Sequence, residues 1–100
     1  SGSQRSRFIP QVPTFSEQGF KELEFQDYFG AYLPAKTPAT QVQALNVALR
    51  QAMAHPQVKE AIDSVGLEAA TGTPEELANT LRAYSQRWGA VVRATGFKAD

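Results

Sequence analysis

The residues of this 100-residue chain that invite chemistry are a lone histidine, a pair of adjacent glutamates and a Tyr-Phe-Gly triplet. His55 lies in "MAHPQV". A general base or metal ligand needs a second convergent group, and no other histidine and no cysteine exists to supply one. His55 therefore reads as a helix N-cap before Pro56. Glu75 and Glu76 resemble an acid pair, but first-turn acids complement the positive end of a helix, which accounts for them. Glu22 and Glu24 read as solvated residues flanking a strand start. Ser1, Ser3 and Ser6 read as a loose end, and no Ser-His-Asp order can be assembled around one helix-junction histidine. The stretch "ATGTPEE" has one glycine before a helix start and lacks the lysine and glycine spacing of a phosphate loop, leaving at most a weak anion site. No nucleophile, base and orienter come together, so the chain is expected not to be an enzyme and to need no cofactor and no metal.

Two aromatic groups remain. Tyr84 and Trp88 stand four apart on an apolar helical stripe, the spacing of a core rather than a ligand platform. Tyr28-Phe29-Gly30 is different, because a glycine between aromatics lets another backbone or a bound small molecule come close. Ligand contact and packing both stay open for Tyr28, Phe29 and Gly30.

Ten basic and ten acidic residues cancel and are interleaved, so the basic stripe that nucleic acid requires is missing and no nucleic-acid partner is expected. No cysteine means no disulfide framework and no thiolate chemistry. No apolar run reaches the roughly 20 residues of a bilayer span, and no export signal opens the chain, which is expected to be soluble as it stands.

The elements that must carry these residues are mostly helical. Thr37-Pro38 fits an N-cap with proline at the first helical position, starting a helix at Pro38 whose stripe is Val42, Leu45, Leu49, Ala52 and Met53. Pro56 ends it and starts a second, with Val58, Ile62 and Val65 on one side and Gly66 as its stop. Thr73-Pro74-Glu75-Glu76 is a capping box opening a third helix with Leu77, Leu81, Tyr84, Trp88 and Val91 or Val92 along it and Gly96 beyond. Gly89, inside that helix, costs about 1 kcal/mol relative to alanine, which slightly favours a close-packed backbone beside it. Glu24 to Leu33, "EFQDYFGAYL", alternates and then turns apolar on both sides, predicting a doubly covered strand. Leu67 to Thr71 reads as a short extended segment, as does the neighbourhood of Phe8-Ile9. The expectation is an α+β, helix-rich chain, three α-helices with a two- or three-stranded sheet too small to stand alone. A strand segment lying in water, or sheltered within a lone subunit, would count against that incompleteness.

Taken in order, "PQVPTFSEQGF", "LEFQDYFGAYLPAKTP", "LNVALRQAMAHPQVKEAI", "VGLEAATGTPEEL" and "RWGAVVRATGFKAD" resemble the C-terminal part of Bug-type periplasmic solute-binding proteins, the receptors of tripartite tricarboxylate transporters. The resemblance implies a fragment of a two-domain α/β periplasmic binding protein (type II) fold. Residues 1–28 would be the end of the second lobe and a hinge-side segment, and 29–100 a crossover strand plus helices packing on the first lobe. It implies a periplasmic receptor for small carboxylates, organic or amino acids, that hands them to membrane transporter subunits. The glycine-rich loops with which the family grips a carboxylate belong to the earlier part of its chain, so these 100 residues alone are not expected to bind. The cleft or hinge candidates are Tyr28, Phe29, Gly30, Thr14 and Phe15. Thr14 to Gly19 reads as a short helical turn held by Phe8, Phe15 and Phe20 and stiffened by Pro10 and Pro13. Gln11, Tyr28 and His55 depart from the family pattern, and Tyr28 leaves ligand contact at that position unsettled.

Two further expectations follow. An exposed strand edge would pair with another copy, giving a homodimer or larger assembly. The rival is a free-standing helical module that binds another protein.

Overall fold

The computed structural model describes residues 2–99. The chain divides into two compact units, Ser1–Ala31 and Tyr32–Asp100.

The first unit has one short 3-10 turn, Lys21–Leu23, and is otherwise built from turns. Its centre is Thr14 to Phe20, where the chain makes a single helical loop with both ends fastened. Thr14 Oγ1 accepts from the Glu17 amide at 3.1 Å, and a Glu17 carboxylate oxygen accepts from the Thr14 amide at 2.8 Å. That reciprocal pair is a capping box. At the other end Gly19 takes φ +92°, and the amides of Gly19 and Phe20 donate back to the carbonyls of Ser16 (3.1 Å) and Phe15 (2.9 Å). This is the 5→2 and 6→1 pattern that ends longer helices. The predicted turn is present.

The second unit carries three helices, α1 (Ala39–Ala54), α2 (Pro56–Ser64) and α3 (Pro74–Thr95). The start of α1 differs by one residue from the sequence reading. Thr37 donates its hydroxyl to the Pro34 carbonyl at 2.7 Å, closing a turn in which Lys36 takes φ +69°, and so does not cap the helix. Pro38, extended at ψ 139°, precedes the first helical residue, and its carbonyl accepts from Gln41 and Val42. His55 ends α1 and begins α2: its amide donates to Ala52, its carbonyl accepts from Val58 and Lys59, and its Nδ1 accepts weakly from the Gln57 amide at 3.4 Å. Gly66 (φ +74°) and Leu67 donate to Asp63 and Ile62, a complete left-handed stop for α2. The Thr73–Glu76 capping box is present in both directions, at 3.1 Å and 2.7 Å, and Gly96 (φ +67°) closes α3. A Cβ at Gly72 would lie 2.8 Å from the Glu76 carboxylate reaching back, so a side chain there would push the tip of Glu76 away.

Helix α1 packs against α2 and α3. Half-buried side chains include Val42 and Met53 from α1, Val58 and Ile62 from α2, and Leu77, Thr80 and Tyr84 from α3. Asn46 adds a tie, donating from Nδ2 to the Gly72 carbonyl at 2.8 Å. No hydrophobic side chain among the described residues is fully buried.

The predicted sheet is absent: no strand occurs among the described residues. Phe8-Ile9 lies in turns, and Glu24 to Leu33 and Leu67 to Thr71 are irregular. The α+β expectation is therefore corrected to a helical chain, and with it the crossover strand of the two-lobed α/β reading. A strand exists only with a ladder partner, and each candidate lacked one. Phe29 is 84% exposed and Tyr32 58%, so these rings lie in water and the expectation of a doubly covered strand from a missing sheet is overturned. Gly89 has no second backbone beside it either. A Cβ there would meet the tip of Arg93 at 3.3 Å and, outside its own helix backbone, nothing else within 4 Å.

Exposure is nonetheless far from ordinary. The chain of 10.9 kDa exposes 8230 Å², whereas a folded monomer of that mass exposes about 5,600 Å². Two separate globules of about a third and two-thirds of the mass would still expose only about 6,600 Å².

Candidate functional site

Thr14 and Phe15, two of the five candidate residues, sit in the fastened turn of the first unit. Thr14 is 3% exposed, the one buried residue among those described. Its hydroxyl holds the Glu17 amide, its own amide is held by the Glu17 carboxylate, and its carbonyl accepts from the Gln18 backbone and side chain, both at 3.3 Å. Phe15 is exposed, and its carbonyl receives the amides of Gln18 and Phe20.

The residue that organises this turn escaped the sequence reading. Glu17 accepts from the Arg5 guanidinium through Nε, at 3.0 and 2.9 Å to its two oxygens, and through Nη2 at 2.7 Å. Arg5 also donates from Nη1 to the Pro10 carbonyl at 3.2 Å. Bidentate pairing with a guanidinium fixes orientation as well as charge. The Arg5 bonds first, and the Thr14 amide second, hold the Glu17 carboxyl at about 2, below the usual carboxylate range, and the Arg5 pKa is raised by the same hydrogen bonds. Thr14-Phe15-Ser16-Glu17 has the same Thr-x-x-Glu spacing as Thr73 to Glu76, which is the signal that could have revealed it.

Tyr28, Phe29 and Gly30 lie in the irregular segment at the end of the same unit. Ser16 donates to a Glu24 carboxylate oxygen at 2.7 Å, tying the fastened turn to the start of that segment. The Tyr28 amide donates to the Asp27 carboxylate at 2.9 Å. Tyr28 is half-buried, while Phe29 and Gly30 are exposed. The Ser16 to Glu24 side-chain hydrogen bond ties the turn that carries Thr14 and Phe15 to the start of the segment that carries Tyr28, Phe29 and Gly30. Near the start of the chain the Arg7 guanidinium stands 4.5 Å over the Phe8 ring.

What this arrangement can do chemically is hold shape. The polar groups of the turn are engaged with one another, so the Thr14 hydroxyl and the Arg5 guanidinium already have partners within the chain. No group of three His, Cys, Asp or Glu side chains that could hold a metal occurs among the described residues. In the second unit, the N-terminus of α3 already carries its own anion, the Glu76 carboxylate on the Thr73 amide. None of the described helices is long and apolar enough to cross a membrane.

The family described as "Tripartite tricarboxylate transporter family receptor" matches residues 1–97. This chain belongs to that family. Its members are receptors rather than enzymes. Among curated relatives of the family, "UPF0065 protein in tcbD-tcbE intergenic region" of Pseudomonas sp. (strain P51) is 36% identical over 80% of this chain and 24% of its own length. "Protein BugT" of Bordetella pertussis is 32% identical over 96% of this chain and 29% of its own length. "UPF0065 protein in the TAR-I ttuE-ttuC' intergenic region" of Agrobacterium vitis is 31% identical over 88% and 26%. The chain thus spans about a quarter of the length of these relatives. No solved structure matches it.

Proposed function

We propose that these residues form part of a periplasmic receptor that binds small carboxylates, organic or amino acids, and delivers them to the membrane subunits of a tripartite tricarboxylate-type transporter. The family match over residues 1–97 carries this reading. Within it, residues 1–28 serve as the end of one lobe and a hinge-side segment, and residues 29–100 cross to the other lobe and pack their helices there. The division of the chain after Ala31, three residues from that boundary, supports the assignment. Thr14 and Phe15 position the hinge-side turn, and Tyr28, Phe29 and Gly30 present the surface nearest a ligand.

On this reading the 100 residues alone do not hold a carboxylate. In support, Arg5 and Thr14, which could meet an anion, are already bonded to Glu17. The expected pairing of an exposed strand edge with another copy loses its ground, because no strand occurs among the described residues.

The test is calorimetric titration of a panel of di- and tricarboxylates and amino acids into the chain and into a chimera in which residues 1–97 replace the matching segment of the Bordetella pertussis relative. Binding by the chimera and none by the chain is the expected result. A folded chimera that binds no member of the panel counts against the receptor reading.

The second reading is a helical module that binds another protein, favoured by three helices and apolar side chains left in water. A partner retained by the chain while the chimera binds no carboxylate would select it.

A further inference from the structure

We infer that the Ala35–Lys36 peptide, in the turn that leads into α1, is a two-position flip that exchanges a hydrogen-bond donor for an acceptor on one side of the chain while the helix start stays fixed. The inference goes beyond the receptor reading and does not depend on it.

The turn is Pro34-Ala35-Lys36-Thr37. The Thr37 amide donates to the Pro34 carbonyl at 3.2 Å, and the Thr37 hydroxyl donates to the same oxygen at 2.7 Å. Lys36 takes φ +69°, and it is the one non-glycine residue with a positive φ among those described. A four-residue turn closed by this amide bond, with positive φ only at its third residue, is type II. That third position suits glycine, because a Cβ in left-handed backbone crowds the following carbonyl. Lysine occupies it here.

The strain has a way out. Rotating the central peptide plane by about half a turn converts type II into type I and takes Lys36 to φ of about −90°, a conformation open to most residues. Both forms keep the bond from the fourth residue to the first, so Thr37 stays on Pro34 throughout. Nothing else holds the central peptide. Ala35 and Lys36 are exposed, and neither the Ala35 carbonyl nor the Lys36 amide has a hydrogen-bond partner among the described residues.

The two ends of the turn, by contrast, are stiff. The ring of Pro34 fixes its φ, and Thr37 precedes a proline, which confines it to extended backbone. Pro38, at ψ 139°, then accepts at its carbonyl from the amides of Gln41 and Val42 at 3.0 and 3.2 Å. The chain therefore enters α1 along one path whichever way the peptide points. What changes is the chemistry on show. The Ala35 carbonyl and the Lys36 amide trade sides beside Lys36, the sole charged side chain between Asp27 and Arg50. An acceptor docked on the amide side holds one form, and a donor on that same side holds the other, each by its differential affinity.

The experiment is nuclear magnetic resonance of the 100-residue chain, native and with Lys36→Gly or Lys36→Val, reading proton–proton Overhauser contacts at residue 36. In type II the residue 36 amide lies close to the Ala35 Hα and far from the Ala35 amide, and in type I the order reverses. Lys36→Gly, which tolerates positive φ, is expected to show the type II pattern. Lys36→Val, whose branched Cβ is excluded from positive φ, is expected to show type I. The native chain is expected to show both contacts, the amide–amide one at least about twofold stronger than in Lys36→Gly, the mark of a type I share of about a tenth. In all three the Gln41 and Val42 amides should keep equal protection from exchange. A native pattern identical to that of either variant, or a Lys36→Val chain that still shows type II, overturns the two-position peptide. Loss of protection at Gln41 and Val42 in Lys36→Val overturns it as well, because the turn would then move only together with the helix start.

Discussion

The two units reach order by opposite routes. In the first, a single loop of backbone is fastened by side-chain charge, with Glu17 held by Arg5 and the Thr14 amide, and no helix longer than a turn forms. In the second, three helices are started and stopped by local signals and then lean on one another through half-buried side chains. The charged fastening of the first unit reaches across twelve residues of sequence, whereas in the second the helix starts and stops act within about a turn and longer contacts such as Asn46 to Gly72 then join the helices. Polar fastening orders a segment too short to make a core. Helix capping orders segments whose core is thin.

Variants that touch one unit alone test this contrast. The largest effect is expected from Leu77→Ala, which removes apolar contact between α3 and α1. It should cost about 1–2 kcal/mol, less than a fully buried leucine does, and be seen as a lower melting temperature in far-ultraviolet circular dichroism. Amide exchange at Gly19 and Phe20 should stay as it was. Next comes Thr73→Ala, which deletes the cap of α3 and should cost about 1 kcal/mol. Protection should be lost first at the amide of Glu76. Gly89→Ala should work in the other direction and raise helix stability by about 0.5–1 kcal/mol, because only the Arg93 tip is near the added methyl. A loss instead would show that something else packs on Gly89.

The smallest effect is reserved for acid, and it should strike the first unit only. The Glu17 carboxyl is held at about 2, below its ordinary 4.5. A depressed folded pKa means the charged form is favoured by folding, so the fastening is fully present above about pH 4.5 and lost as pH falls towards 2. Exchange at the Phe20 amide should quicken across that window, and Arg5→Gln should move the window upward. An unchanged window would separate Glu17 from Arg5.

What the sequence made legible was whatever depends on neighbours along the chain. Thr73, Pro74 and Glu76, the His55-Pro56 junction, and Gly66 and Gly96 all act within one helical turn, and each stands where its residue type requires. Thr37 misled by a single step, because its hydroxyl had a second acceptor in the Pro34 carbonyl. The Glu24 to Leu33 segment was misread for a deeper reason. Alternating aromatics record a tendency to be covered, and a strand depends on a partner that no local pattern names. Its exposed Phe29 overturns the expected cover, so the family assignment rests on the sequence match and not on this segment. Among the site candidates, Thr14 was chosen for its place in the motif and turned out to matter for its hydroxyl and amide. Its partner Glu17 passed unnoticed between two phenylalanines.

The lack of any fully buried apolar side chain among the described residues also sets how the chain answers to heat. Unfolding it wets little greasy surface that was dry before, so the heat-capacity increment should fall below the roughly 1.2–1.5 kcal/mol/K usual for 100 residues. Calorimetry should then trace a broad, low endotherm for the lone chain.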